Sequence, residues 1–167
     1  MAGETATIIS LFYNTTQVVL WMHVFFSLLP QEGYGLFSRH SWKTDQYWDE
    51  RIQFRKVLEL AQYLQATDII LSVLKLTRNN PVTVFQQIMS RVFVIYMIFP
   101  YSSGKHFGIF MTVMCWSVTE VIRFIFYSLK LVNMGSTENL LAYIIGQLRY
   151  TLFIVLYPVG VTGELIC

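Results

Sequence analysis

Apolar residues run along this chain in long blocks set apart by short polar stretches, and the blocks set the elements. The first runs from Thr7 to Leu29 with no basic residue ahead of it. It therefore lacks the charged start of a cleavable signal peptide and is expected to stay as a helix. A polar connection follows from Pro30 to Arg55, with Gly33, Gly35 and the aromatics Tyr34, Phe37, Trp42, Tyr47 and Trp48. Aromatics gather where membrane meets water, so this reads as an interfacial loop or short surface helix. A second helix is expected from Phe54 to Leu76. It is the most polar, and Glu59, Gln62 and Asp68 fall in one broad sector at helical spacing, with Gln65 nearby. That sector should face the bundle interior. Thr77 to Pro81 is a turn, Val82 to Phe99 a third span, and Tyr101 to His106 a short loop. A fourth span covers Phe107 to Leu129, Lys130 to Asn139 connect, and a fifth starts at Leu140 and reaches Tyr157-Pro158-Val159-Gly160. The pattern predicts an all-α, polytopic membrane bundle of about five transmembrane helices, each block near the ~20 residues a bilayer requires.

Composition supports this. Charged residues make up 13% of the chain and hydrophobic ones 54%, whereas a soluble domain carries about 25% charged residues. A net charge of +2 with no basic run gives no footing for nucleic acid. Cys115 and Cys167 cannot build a disulfide framework, and no Cys/His grouping has metal-ligand spacing. Cys115 lies inside an apolar run and reads as packing. Asn14-Thr15-Thr16 is formally a glycosylation sequon. Its place within a span points to an interhelical polar contact instead.

Chemistry concentrates between Leu148 and Glu164, LRYTLFIVLYPVGVTGE. A carboxylate at membrane depth is costly, so its presence there points to function. Tyr157 and Glu164 are two helical turns apart, on one face but about 10 Å distant along an ideal axis. Pro158, Gly160 and Gly163 are expected to bend or unwind the helix between them. Irregular backbone at that depth is tolerated where it lines a cavity or packs on protein. On the fourth span Glu120 and Arg123 are three apart and can pair. Arg91 and Arg149 add two more cations in apolar surroundings.

These residues carry a resemblance. Leu148 to Glu164 is similar to a segment LRY-x-x-F-x-x-LYP-x-G-x-x-x-E of the very-long-chain (3R)-3-hydroxyacyl-CoA dehydratase family, also called protein-tyrosine-phosphatase-like, and every fixed position is present. Trp116 to Phe124 (WSVTEVIRF) resembles the family's WS-x-x-E-[IV]-IR-[YF], and Ser90 to Phe93 its SR-[LV]-F. Tyr13-Asn14 with Trp21 is a weaker match. The family's LE-x-LH fits at Leu58-Glu59-Leu60 but meets Gln62 where a His is expected, which removes a proton relay there. A phosphatase Cys followed six residues later by Arg is not met, since Val121 holds that place.

The resemblance implies a hydro-lyase that turns a long-chain 3-hydroxyacyl-CoA into the trans-2-enoyl-CoA, the third step of fatty-acid elongation, at the endoplasmic reticulum membrane. Tyr157 and Glu164 would be its catalytic pair. Glu164 would take the alpha proton and Tyr157 serve the leaving hydroxyl, with the reverse assignment open. Arg149, Tyr150, Arg123 and Glu120 would line the cavity, an Arg polarising the thioester or steering a phosphate; the competing reading is that these charges neutralise one another and hold the bundle together. No metal or organic cofactor is required. Implied partners are the lipid bilayer, the elongase condensing enzyme, the 3-ketoacyl-CoA reductase and the enoyl-CoA reductase. The family has six spans, and the one after Glu164 is missing, so residues 1–167 read as one C-terminally shortened domain. The rival reading is therefore a catalytically inactive membrane scaffold of the elongation complex. A channel would need polar stripes on several spans, and only the second shows one. The family places both chain ends in the cytosol, whereas the Lys and Arg of Pro30–Arg55 tilt the positive-inside rule weakly the other way.

Overall fold

The structure, a computed structural model, describes residues 2–28, 52–74, 81–101, 106–132 and 140–167. The described residues are helical, without strands. Helix α1 is Ala2–Leu28, α2 Ile52–Gln65, α3 Thr67–Val73, α4 Pro81–Phe93, α5 His106–Val132 and α6 Leu140–Ile166. Four stretches are long and apolar enough to cross a membrane: Ala6–Leu28, Val84–Tyr101, Phe107–Val132 and Tyr143–Ile166. The architecture is that of a multi-pass membrane bundle. The Pro30–Arg55 connection lies outside the described residues except for 52–55, which open α2.

The expected second span is split. At Ala66 the backbone N–H is shared between the Gln62 and Tyr63 carbonyls, both at 3.1 Å, so the turn tightens before α3 restarts. The third span is extended beyond α4 by a π turn, Val94–Ile98, and a 3-10 turn, Phe99–Tyr101. Pro100 accounts for this, because it lacks an N–H and its ring would press on the carbonyl of Tyr96, four residues back.

The interior is unusually polar. Helix α1 buries Ser10, Asn14 and Gln17 on one face while Phe12, Val19 and Phe26 point outward. Polar inward stripes are therefore not confined to the second span. Asn14 itself is buried. The apolar core beside this interior includes Trp21, Leu58, Phe99, Val113 and Phe124. Tyr13 meets Phe124 edge to face at 5.9 Å, while Arg91 lies beside both Trp21 and Trp116. These contacts run α1 antiparallel to α5.

Helices α5 and α6 are also antiparallel, along a seam of small residues. A Cβ on Gly163 would lie 2.6 Å from Thr112 Oγ1 and 3.0 Å from the Gly108 carbonyl. One on Gly108 would lie 2.7 Å from Cys167 Sγ, and Gly160 abuts the buried Cys115 at 3.4 Å. Small residues let helix backbones approach when no water is there to drive association.

Pro158 does not break α6. The helix runs uninterrupted from Leu140 to Ile166, with the proline exposed on its outer side and the Thr162 hydroxyl donating to the Pro158 carbonyl at 2.8 Å. The proline removes one backbone hydrogen bond and crowds the Ile154 carbonyl, four residues back, yet the helix continues past it and the predicted unwinding is absent.

Gly163→Leu should overpack this seam and cost about 1–3 kcal/mol, read by SDS-titrated unfolding in mixed micelles. Gly146→Ala, whose Cβ would meet only the edge of the Phe126 ring at 3.3 Å, should cost less because a ring can shift.

Candidate active site and the buried charge cluster

Four charges from three parts of the chain meet inside the bundle. Glu120, with none of its surface exposed, takes Arg91 Nη1 on one oxygen at 2.6 Å and Arg123 Nη2 on the other at 2.7 Å. Arg123 Nη2 also lies 3.5 Å from Asp68 Oδ2. Amides fill the gaps: Gln65 Nε2 donates to Glu120 at 3.0 Å, and Gln87 Oε1 accepts from Arg123 at 3.1 Å. The Tyr13 hydroxyl donates to the Leu64 carbonyl at 3.4 Å and accepts from Gln17 Nε2 at 3.2 Å. Two guanidiniums thus face two carboxylates. That balance is what makes burial of all four tolerable.

The sequence-predicted residues divide between this cluster and its surroundings. The Glu120–Arg123 pair forms as expected, at the centre. Gln62, Gln65 and Asp68 turn inward, whereas Glu59 stays on a partly exposed flank and pairs with Arg55 at 2.8 Å. Arg149 does not join. Its guanidinium lies over the Phe126 and Tyr127 rings at 5.5 and 5.3 Å, and Nη2 donates to the Tyr127 hydroxyl at 3.4 Å. Tyr150 is 70% exposed and faces outward.

Tyr157 and Glu164 occupy the same flank of α6 but meet different surroundings. Tyr157 is 61% exposed, with its ring stacked on Phe153 at 5.3 Å. It lies about one turn from the Gly160–Cys115 contact. Glu164 is half-buried and lies near the Trp116 indole and the Arg91 charge. Helical side chains lean toward the N-terminus, so Glu164 leans toward Tyr157 while the phenol leans away from it. With the helix intact, the roughly 10 Å axial spacing remains.

Sequence reasoning missed Gln87, which accepts from Arg123. Gln87 had a signal: it stands four residues before Arg91 on one helix face. Several buried polar atoms have no hydrogen-bond partner among the described residues, including Gln17 Oε1, Trp21 Nε1, Thr112 Oγ1 and both ends of the Gln62 amide. Among the described residues no group of His, Cys, Asp and Glu could hold a metal ion.

Removing Arg123 as Arg123→Met should leave buried carboxylates uncompensated and cost about 3–5 kcal/mol in SDS-titrated unfolding. Arg55→Met, which breaks the exposed pair with Glu59, should cost less than about 1 kcal/mol.

With this geometry in hand, comparison with known proteins is informative. The family model described as "Protein tyrosine phosphatase-like protein, PTPLA" matches residues 62–167. The very-long-chain (3R)-3-hydroxyacyl-CoA dehydratase hpo-8 of Caenorhabditis elegans is 33% identical over 156 residues, covering 92% of this chain and 65% of the relative. Very-long-chain (3R)-3-hydroxyacyl-CoA dehydratase 2 of Mus musculus is 32% identical, covering 98% of this chain and 59% of the relative. The probable dehydratase of Schizosaccharomyces pombe is 27% identical, covering 91% and 67%. The chain spans about three-fifths to two-thirds of the length of these relatives. No solved structure matches it. On the match across residues 62–167, which takes in the charge cluster, Tyr157 and Glu164, the chain belongs to the protein tyrosine phosphatase-like, PTPLA, family.

Proposed function

We propose that this chain dehydrates long-chain (3R)-3-hydroxyacyl-CoA to the trans-2-enoyl-CoA. The observation that carries this reading is Glu164, a carboxylate half-buried within a membrane-spanning helix, on the flank that also bears Tyr157. The printed names of the relatives, dehydratases of this substrate class, support it.

The reaction removes a proton from the carbon beside the thioester and expels the hydroxyl from the next carbon. Glu164 takes the proton, and the C–H electron pair becomes the new double bond. Tyr157 gives its proton to the departing hydroxyl, which leaves as water. Transfer of the proton from Glu164 back to the phenolate restores both groups. General acid–base steps of this kind each contribute about 10²–10⁴-fold. Because the phenol rests on Phe153, substrate lying along this flank has to draw it toward Glu164. The acyl chain then extends over the apolar outer surface of α6, in contact with lipid. The setting we assign is the endoplasmic reticulum membrane and the elongation cycle, alongside a condensing enzyme, a 3-ketoacyl-CoA reductase and an enoyl-CoA reductase.

Glu164→Gln and Tyr157→Phe should each lower dehydration of a long-chain 3-hydroxyacyl-CoA by about 100-fold or more, in an assay of the purified full chain. Unfolding midpoints should stay near wild type, since neither side chain belongs to the charge cluster. Absence of turnover in the wild type itself would favour the scaffold.

A further inference from the structure

Arg91, Arg123, Lys130 and Arg149 are the lysine and arginine side chains of the membrane-spanning stretches. Arg91 and Arg123 are paired with carboxylates inside the bundle. Lys130 and Arg149 meet no carboxylate among the described residues. Both rest on one ring instead: Lys130 Nζ lies 5.2 Å and the Arg149 guanidinium carbon 5.5 Å from the centre of Phe126. They come from different helices, α5 and α6, and converge near the end of the bundle where α5 finishes and α6 begins. Arg149 is half-buried and Lys130 exposed, so the spot can be reached from outside. An aromatic face satisfies a cation only in part, and like charges drawn together repel. The arrangement therefore lacks an anion.

We propose that Lys130 and Arg149 seat the phosphates of the substrate's CoA and so set the direction in which substrate lies, with CoA at the start of α6 and the acyl chain toward Ile166. This rests on the dehydration reading above. Arg149, Phe153 and Tyr157 recur every four residues and make one ridge along α6, with Phe153 stacked on Tyr157 at 5.3 Å. Val161 and Leu165 continue the ridge and are exposed. Arg149 and Tyr157 are about 12 Å apart along the axis, a gap that the pantetheine arm between diphosphate and thioester can bridge. With the phosphates at the seat, the thioester comes beside the phenol and the alkyl chain runs over Val161 and Leu165 against lipid. Guanidinium and ammonium groups are the usual holders of phosphate oxygens. A lipid headgroup offers the same phosphate chemistry; the ridge leading from the seat to Tyr157 favours CoA.

The full chain in phosphatidylcholine nanodiscs serves for both tests. In the first, a long-chain 3-hydroxyacyl-CoA is compared with the same acyl group on pantetheine, which has no phosphates. Arg149→Gln and Lys130→Gln should each lower kcat/KM for the CoA thioester by about tenfold, with most of the loss recovered in Arg149→Lys, and shift the pantetheine thioester by less than about twofold. Equal losses on the two thioesters, or no loss in Lys130→Gln, whose exposed side chain makes that variant safe to fold, overturn the proposal. The second test needs no turnover. Coenzyme A itself, followed by isothermal titration, should bind wild type and Glu164→Gln alike and bind either charge variant about tenfold more weakly. No binding, or binding indifferent to both cations, overturns the proposal. So does the case in which phosphatidic acid added to the discs is retained by wild type and lost from the charge variants while coenzyme A binding does not change; the seat then holds a lipid headgroup. Cation-dependent coenzyme A binding by a wild-type chain that turns nothing over upholds the seat and removes the dehydratase reading.

Discussion

A buried glutamate shared by two arginines is the constraint around which this bundle is arranged. Glu120 takes Arg91 from α4 and Arg123 from its own helix, and Arg123 carries the link on to Asp68 of α3. None of the four can turn outward without leaving an opposite charge unpaired in an apolar setting. The rotation of three elements about their own axes is therefore fixed together. Packing alone would specify this less sharply, because lipid tails are as apolar as the residues they would replace. The polar interior and apolar exterior follow from the same circumstance.

The second constraint is the glycine seam between α5 and α6. It brings the two backbones close enough that the end of α6 sits beside Trp116, which Arg91 and Phe99 already hold. Glu164 inherits its surroundings from both devices. Tyr157, two turns earlier, inherits none of them and faces away from the bundle. Of the candidate pair, Glu164 is thus half-buried and Tyr157 exposed.

Much of this was legible in the sequence because charge within an apolar run has few solutions. The Glu120–Arg123 spacing announced an ion pair, and the sector of Glu59, Gln62 and Asp68 announced an inward face that Gln62 and Asp68 take and Glu59 does not. The spans were readable from block length. The expected break at Pro158 was not found, because losing one N–H bond and crowding one carbonyl leaves the rest of a 27-residue helix able to continue. Pro100 is the other case, where the span ends in a π turn and a 3-10 turn. The polar face of α1 was present in the spacing of Ser10, Asn14 and Gln17 but was masked by the apolar residues between them.

The account stands or falls on whether the buried charges act as one unit. Unfolding free energies of Glu120→Leu, Arg91→Met and the double variant, from SDS titration in mixed micelles, test this directly. Loss of Glu120 should be the most damaging single change, and adding Arg91→Met should relieve part of it, with a coupling of about 1–3 kcal/mol. Losses that simply add, to within about 0.5 kcal/mol, would mean the charges are independent and the bundle is held by something else.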